Sequence, residues 1–128
     1  MTFEVIKQKF DYIVSCGYSN DEVLAIASDF PAVFGLSMDN IKQKLEFYKS
    51  INMEQIPIVH PKYLMQSVSL SYARYQFYKD RGKDITMDDY RGLFIGNKQF
   101  EKEYHITKSE LLEKYNYEEY LKEKNYVG

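Results

Sequence analysis

The stretch "FPAVFGLSMDNIKQKLEFYKS", residues 30–50, begins with an apolar pair broken by proline, crosses a glycine and a serine, and settles into helical spacing. Thirty residues later the chain repeats the event as "HPKYLMQSVSLSYARYQFYKD", residues 60–80, matching at Pro31/Pro61, Ser37/Ser67, Phe47/Phe77, Tyr48/Tyr78 and Lys49/Lys79. An earlier copy of the helix, "IKQKFDYIVS" at 6–15, matches "IKQKLEFYKS" at 41–50 with an offset of 35, and "SYARYQFYKD" at 71–80 is the third. Repeats of 20 to 50 residues built from helices indicate a solenoid, in which each unit buries its apolar face on the next.

The segments between these landmarks read as helices. Phe3, Ile6, Phe10 and Ile13 fall at spacings of three and four, predicting a helix over 3–16 closed by Gly17. Ser19 and Glu22 form a capping box for a second helix, which Pro31 ends near Asp29. "PAVFGL" is too short for a regular helix and reads as a 3₁₀ turn or buried loop whose Val33 and Phe34 plug the core. Ser37 caps the next helix, with Met38, Ile41, Leu45 and Tyr48 as its apolar stripe. Pro57 and Pro61 allow at most one short turn between them. Ser67 or Ser69 opens a helix ending at Gly82, and Thr86 with Asp89 reads as another helix start, stopped at Gly96. Short helices are expected near 97–104, 108–115 and 117–124, the second capped by Thr107 and Glu110. No apolar–polar alternation lasts a strand's length, so the class is all-α.

A chain of 128 residues, 45% apolar and 16% aromatic, suffices for one packed domain, with units at about 3–37, 38–67 and 68–96 and a cap at about 97–128. Thirteen tyrosines and no tryptophan predict many half-buried positions, since tyrosine pairs an apolar ring with a hydroxyl that needs a partner. The single Cys16 excludes an internal disulfide and sits in an apolar helical pattern, which predicts a reduced core thiol in a reducing compartment, its pKa raised and its reactivity low. The sequence offers neither a transmembrane stretch nor a signal or transit peptide, so a soluble intracellular protein, cytoplasmic by default, is expected.

The net charge of −2 lacks the basic excess of a typical nucleic-acid binder. The charge is unevenly placed, however. Residues 61–83 hold Lys62, Arg74, Lys79, Arg81 and Lys83 against Asp80, whereas residues 99–128 hold seven glutamates against five lysines.

The units resemble the repeat of the mTERF (mitochondrial transcription termination factor) family. "CGYSNDEVLAIASDFPAVFGLSMDNIKQKLEFYKS" echoes its helix, Gly-aromatic-Ser turn, helix, proline turn and next helix, and "IGNKQFEKEYHITKSELLEKY" at 95–115 resembles its C-terminal cap. The second unit has a shortened helix before its proline, and the third lacks the proline, carrying Gly96 there. The resemblance implies a short right-handed superhelix of mTERF-like repeats, duplex nucleic-acid binding along its inner face, a link to transcription regulation, and an organelle as the place of action. Members are usually far longer, so a miniature member or an excised C-terminal part is expected.

Other chemistry finds little support. His60 and His105 have no Cys or carboxylate at ligand spacing, so no metal site is expected. "FIGNK" lacks the full phosphate-loop pattern and a preceding strand, Cys16 has no histidine that would make it a nucleophile, and no cofactor or enzymatic activity is expected. One arrangement remains: superposing the units sets Lys9, Lys44 and Arg74 at one position and Lys49 with Lys79 at another, a basic ladder that could track a phosphate backbone, with Arg81 beside it. The candidate nucleic-acid-binding residues are therefore Lys9, Lys44, Lys49, Arg74, Lys79 and Arg81, with Lys44 facing outward. The competing reading is an ordinary lysine-bearing surface neutralised by Asp11, Asp39 and Glu46, on a protein-interaction scaffold that does not bind nucleic acid. Tyr104, Tyr115, Tyr117, Tyr120 and Tyr126 could stack on single-stranded bases, but their spacing in short helices favours a cap over the last repeat. The chain is expected to be a monomer.

Overall fold

A computed structural model describes residues 2–127, with the side chains of residues 126 and 127 outside the described part. It is helical throughout, the only β pairing among the described residues being an isolated bridge between Thr86 and Asp89. The helices are α1 (Phe3–Ser15), α2 (Asn20–Asp29), α3 (Met38–Ser50), α4 (Ile56–Val59), α5 (Val68–Asp80), α6 (Asn97–Tyr104), α7 (Lys108–Lys114) and α8 (Tyr117–Val127). Three 3₁₀ turns intervene, at Pro31–Gly35, Pro61–Met65 and Arg91–Leu93. By internal contacts the chain forms two compact units, Met1–Met65 and Gln66–Gly128.

Each repeated helix starts and stops by the same local chemistry. The hydroxyls of Thr2, Ser37 and Ser67 accept the N–H three residues on at the starts of α1, α3 and α5. At the far ends Gly17, Asn52 and Gly82, which occupy equivalent positions, take positive φ values of 109°, 59° and 79°. That left-handed step lets Met53 N–H reach the Tyr48 carbonyl at 2.7 Å and Lys83 N–H reach Tyr78 at 2.9 Å, satisfying carbonyls that the helix leaves open. Asn52 shows that the position tolerates asparagine, whose short polar side chain is the usual substitute for glycine there.

In the first unit Ser19 and Glu22 form the expected capping box on α2. Val33 and Phe34 of the first turn are buried, as expected of plugs. Ile13, Ile26 and Val33 meet Ile41 and Leu45 of α3 around one small apolar cavity, which Pro57 and Leu64 close from α4 and the second turn. Met53 and Ile56 are also fully buried.

In the second unit α5 is the central element, with Val68, Leu70, Ala73, Phe77 and Tyr78 buried, and it packs on α7 and α8. Phe77 meets Phe100 and Tyr104 of α6 edge-on, at ring-centre distances of 5.3 and 5.2 Å. Tyr72 stacks on Tyr120 at 4.9 Å and lies 5.2 Å from Tyr117, while Tyr115 Oη donates to Asp80 Oδ2 at 2.6 Å. Tyr104, Tyr115, Tyr117 and Tyr120 thus each make a contact with α5; the Tyr126 side chain lies outside the described residues.

Three expectations are corrected. No helix starts at Thr86, because its hydroxyl accepts the N–H of Asp88, two residues on, and its backbone pairs with Asp89, closing a turn in place of an N-cap. Gly96 does not stand in for the missing proline: Arg91 opens the third turn where Pro31 and Pro61 open theirs, and Gly96 takes the N-cap place of Ser37 and Ser67. Cys16 is free and half-buried on an open groove beside Tyr12, not enclosed in the core.

Gly92, in the third turn, lies so close to Tyr78 that an added Cβ would come within 2.7 Å of ring atom Cζ, whereas a Cβ on Gly35 of the first turn meets only open space. Gly92→Ala should therefore lower stability by about 1–3 kcal/mol through overpacking. Gly35→Ala should fall within about 1 kcal/mol of wild type. Urea unfolding of both variants checks the contrast.

Candidate nucleic-acid interface

The basic ladder divides by burial. Lys9, Lys44 and Arg74 are only 7%, 5% and 1% exposed, so the position they share turns inward. Lys44 does not face outward as its sequence context suggested. Lys49, Lys79 and Arg81 are exposed.

The inward cations have work within the fold. Lys9 Nζ donates to the Phe34 carbonyl in the first turn at 3.0 Å. Arg74 does the same for the third turn on a larger scale: Nη1 donates to the carbonyls of Leu93 (3.0 Å) and Ile95 (2.6 Å), and Nη2 to Asn97 Oδ1 at 3.1 Å, while the guanidinium lies 4.7 Å from the Phe100 ring centre. Gln66 reinforces the same point, its Nε2 donating to Leu93 O at 2.7 Å and Ser71 Oγ at 2.9 Å. Lys44 lines the apolar cavity next to Leu64 of the second turn, and burial lowers its pKa. A 3₁₀ turn this short leaves carbonyls without intrahelical donors, and a cation from a repeated helix earlier in the chain is a strong donor to supply.

The outward cations have a different setting. Lys49 and Lys79 occupy the last turn of α3 and of α5, where a positive charge also complements the helix dipole. Lys49 lines an open groove with Tyr12, Cys16, Tyr18, Glu46 and Glu54, so two carboxylates share its surroundings. In that groove Tyr18 Oη donates to the Glu54 carbonyl at 2.6 Å, and Tyr12 is pushed up to about 12 by burial and by its hydrogen bond with Cys16. Arg81 lies over Phe77 at 4.3 Å and near Tyr104 at 5.8 Å, which orders its guanidinium without burying it.

Other exposed cations, not singled out by the repeat, accompany these in the second unit. Lys83 pairs with Asp89 at 3.3 Å and lies over Tyr78 at 5.2 Å, and Arg91 shares a groove with them and with Gln99 and Glu103. The sequence signal for Arg91 was its place at the start of the third turn, hidden because the proline landmark is absent there. In the first unit eight carboxylates (Glu4, Asp11, Asp21, Glu22, Asp29, Asp39, Glu46, Glu54) escape burial, against four lysines (Lys7, Lys42, Lys49, Lys62). Among the described residues no group of three or more His, Cys, Asp and Glu side chains could hold a metal ion, and no helix is long and apolar enough to cross a membrane.

Replacing Arg74 with Met should destabilise the fold by on the order of 3 kcal/mol, because the carbonyls of Leu93 and Ile95 lose charged donors. Lys44→Met should cost less, since it removes an ammonium that burial disfavours. The pH dependence follows from the same shift: with the folded pKa below the unfolded one, the unfolded state holds more protons between the two values, so Lys44 makes stability rise with pH across that window. Denaturation of both variants and wild type from neutral to alkaline pH should show that rise diminished only in Lys44→Met.

Searches of the curated proteins and of the solved structures find no match. The family model of mTERF matches residues 2–90, which takes in all three repeated helices and the first two turns and ends one residue before the third turn opens at Arg91. The chain belongs to the mTERF family.

Proposed function

We propose that this chain is a non-catalytic nucleic-acid-binding module, duplex DNA or RNA being held by its backbone, with a role in transcription regulation as befits the family. The observation that carries the reading is family membership across the repeats, joined to an outward cation at the same place in α3 and α5, Lys49 and Lys79. Arg81, two residues beyond Lys79 and supported on aromatic rings, extends the cationic surface of the second unit. Lys9 and Arg74 act indirectly, by fixing turns that orient the helices, and Lys44 is buried with them. Phosphate contacts supply most non-specific affinity and release counterions on binding.

A second reading is favoured by a specific observation. The first unit leaves twice as many carboxylates as lysines unburied, and Lys49 shares its groove with Glu46 and Glu54, so that unit suits a cationic protein partner better than a polyanion.

Fluorescence anisotropy with labelled duplex DNA and duplex RNA across a salt series tests the proposal. Wild type should bind with a log–log salt slope of about −2 to −3, corresponding to about three neutralised phosphates. Lys79→Glu with Arg81→Glu should abolish most of that binding while leaving the helical signal intact, with the melting temperature lowered only by the lost helix-dipole and ring contacts. Absence of binding at low salt, or binding indifferent to these substitutions, sinks the nucleic-acid reading. Charge reversal at Lys44 or Arg74 is unsuitable, because binding would then be lost through unfolding.

A further inference from the structure

Arg91 stands where the repeat has proline. The first two turns open on Pro31 and Pro61 and the third on Arg91, so this turn gives up a fixed φ and gains a long cationic side chain. The fold makes no use of that side chain. It is exposed, and among the described residues it has no hydrogen-bond or ion-pair partner, whereas Arg74 donates to the carbonyls of Leu93 and Ile95. Arg91 lines an open polar groove of about 250 Å³ in the second unit, opposite Lys83 and beside Gly92 and Tyr104. That volume is room for about eight waters at liquid density.

We propose that this groove seats a phosphate group, with Arg91 and Lys83 as its ligands. Its walls are held in place by the protein itself. Tyr78 Oη donates to the Gly92 carbonyl at 3.3 Å, tying α5 to the turn, and the Lys83 N–H bonds the Tyr78 carbonyl at 2.9 Å while its ammonium lies 5.2 Å from the Tyr78 ring centre. The two carboxylates of the groove already have donors: Asp89 Oδ2 takes Lys83 Nζ at 3.3 Å, and Glu103 Oε1 takes Gln99 Nε2 at 3.1 Å. An exposed pair such as Lys83–Asp89 is weak, so Lys83 can turn to a stronger anion. Arg91 keeps its whole fork of donors for the ligand, and Arg81, 5.8 Å from the Tyr104 ring centre, adds positive charge at the edge. A phosphate has oxygens enough to meet the fork and the ammonium together. The seat rests on the nucleic-acid reading for its source of phosphate, a backbone phosphodiester.

Nuclear magnetic resonance of the isotope-labelled chain, titrated with inorganic phosphate at constant ionic strength and then with duplex DNA, tests it. Both ligands should shift the Gly92 amide and the Arg91 guanidinium, and Arg91→Gln should remove the shift at Gly92. In the salt series Arg91→Gln should weaken duplex binding about tenfold and make the log–log slope shallower by about one, with the melting temperature unchanged. A chain that ignores duplexes yet takes inorganic phosphate at Gly92 supports the seat, with a free phosphate as its ligand, and sinks the nucleic-acid reading. Duplex binding that is lost in Lys79→Glu with Arg81→Glu but indifferent to Arg91→Gln overturns the seat and leaves the nucleic-acid reading standing. Shifts absent with both ligands, or persisting in Arg91→Gln, overturn it too.

Discussion

Short 3₁₀ turns impose one requirement on this protein: the carbonyls at their C-terminal ends need donors from elsewhere. In the first unit Lys9 reaches from α1 to the carbonyl of Phe34, and in the second Arg74 reaches from α5 to those of Leu93 and Ile95. Both cations stand at the same place in a repeated helix. Each fixes the angle at which the chain leaves its turn and enters the next helix, and with it the position of the apolar plugs Val33, Phe34 and Leu93. A buried charge is costly to leave unpaired, so the bond also penalises arrangements in which the turn is displaced.

Much of this was legible in the sequence, because local chemistry writes plainly. The serine caps, the capping boxes at Ser19 and Thr107, the stop glycines Gly17 and Gly82 and the proline turns all act within a few residues of themselves, and each is found where its spacing placed it. The failures share a different cause. The third turn was misread because Arg91 replaces the proline landmark and Thr86 satisfies Asp88 N–H in a turn that mimics a helix cap. The direction of Lys44 was misread because what buries it, Pro57 and Leu64 among the cavity's lining, lies well along the chain, as Phe34 does from Lys9, and no periodicity reports it.

The repeat did carry a signal that bears on that last point. A basic residue recurring at Lys9, Lys44 and Arg74 suggested a surface ladder, yet the neighbours of each on its helix are core residues: Ile13 lies one turn from Lys9, Leu45 and Tyr48 lie beside and one turn from Lys44, and Ala73, Phe77 and Tyr78 surround Arg74. A cation embedded in an apolar stripe is a cation with an internal partner. By contrast Lys49 and Lys79 end their stripes and are exposed. Recurrence alone thus does not separate binding from architecture; recurrence together with helical phase does.

The same distinction explains how the units can vary so widely and remain one kind of repeat. The helix before the turn shrinks from ten residues in α2 to four in α4 and is replaced by the Thr86–Asp89 bridge in the third repeat. The proline is lost as well in that repeat, and with it a residue whose fixed φ helps set the start of the turn. The third turn is held by three bonds from Arg74, with Gln66 added to the same carbonyl of Leu93, at the place from which Lys9 reaches the Phe34 carbonyl of the first turn. Where the turn's own sequence no longer fixes its start, arginine, with a planar fork of donors, is the cation able to hold several of its acceptors at once.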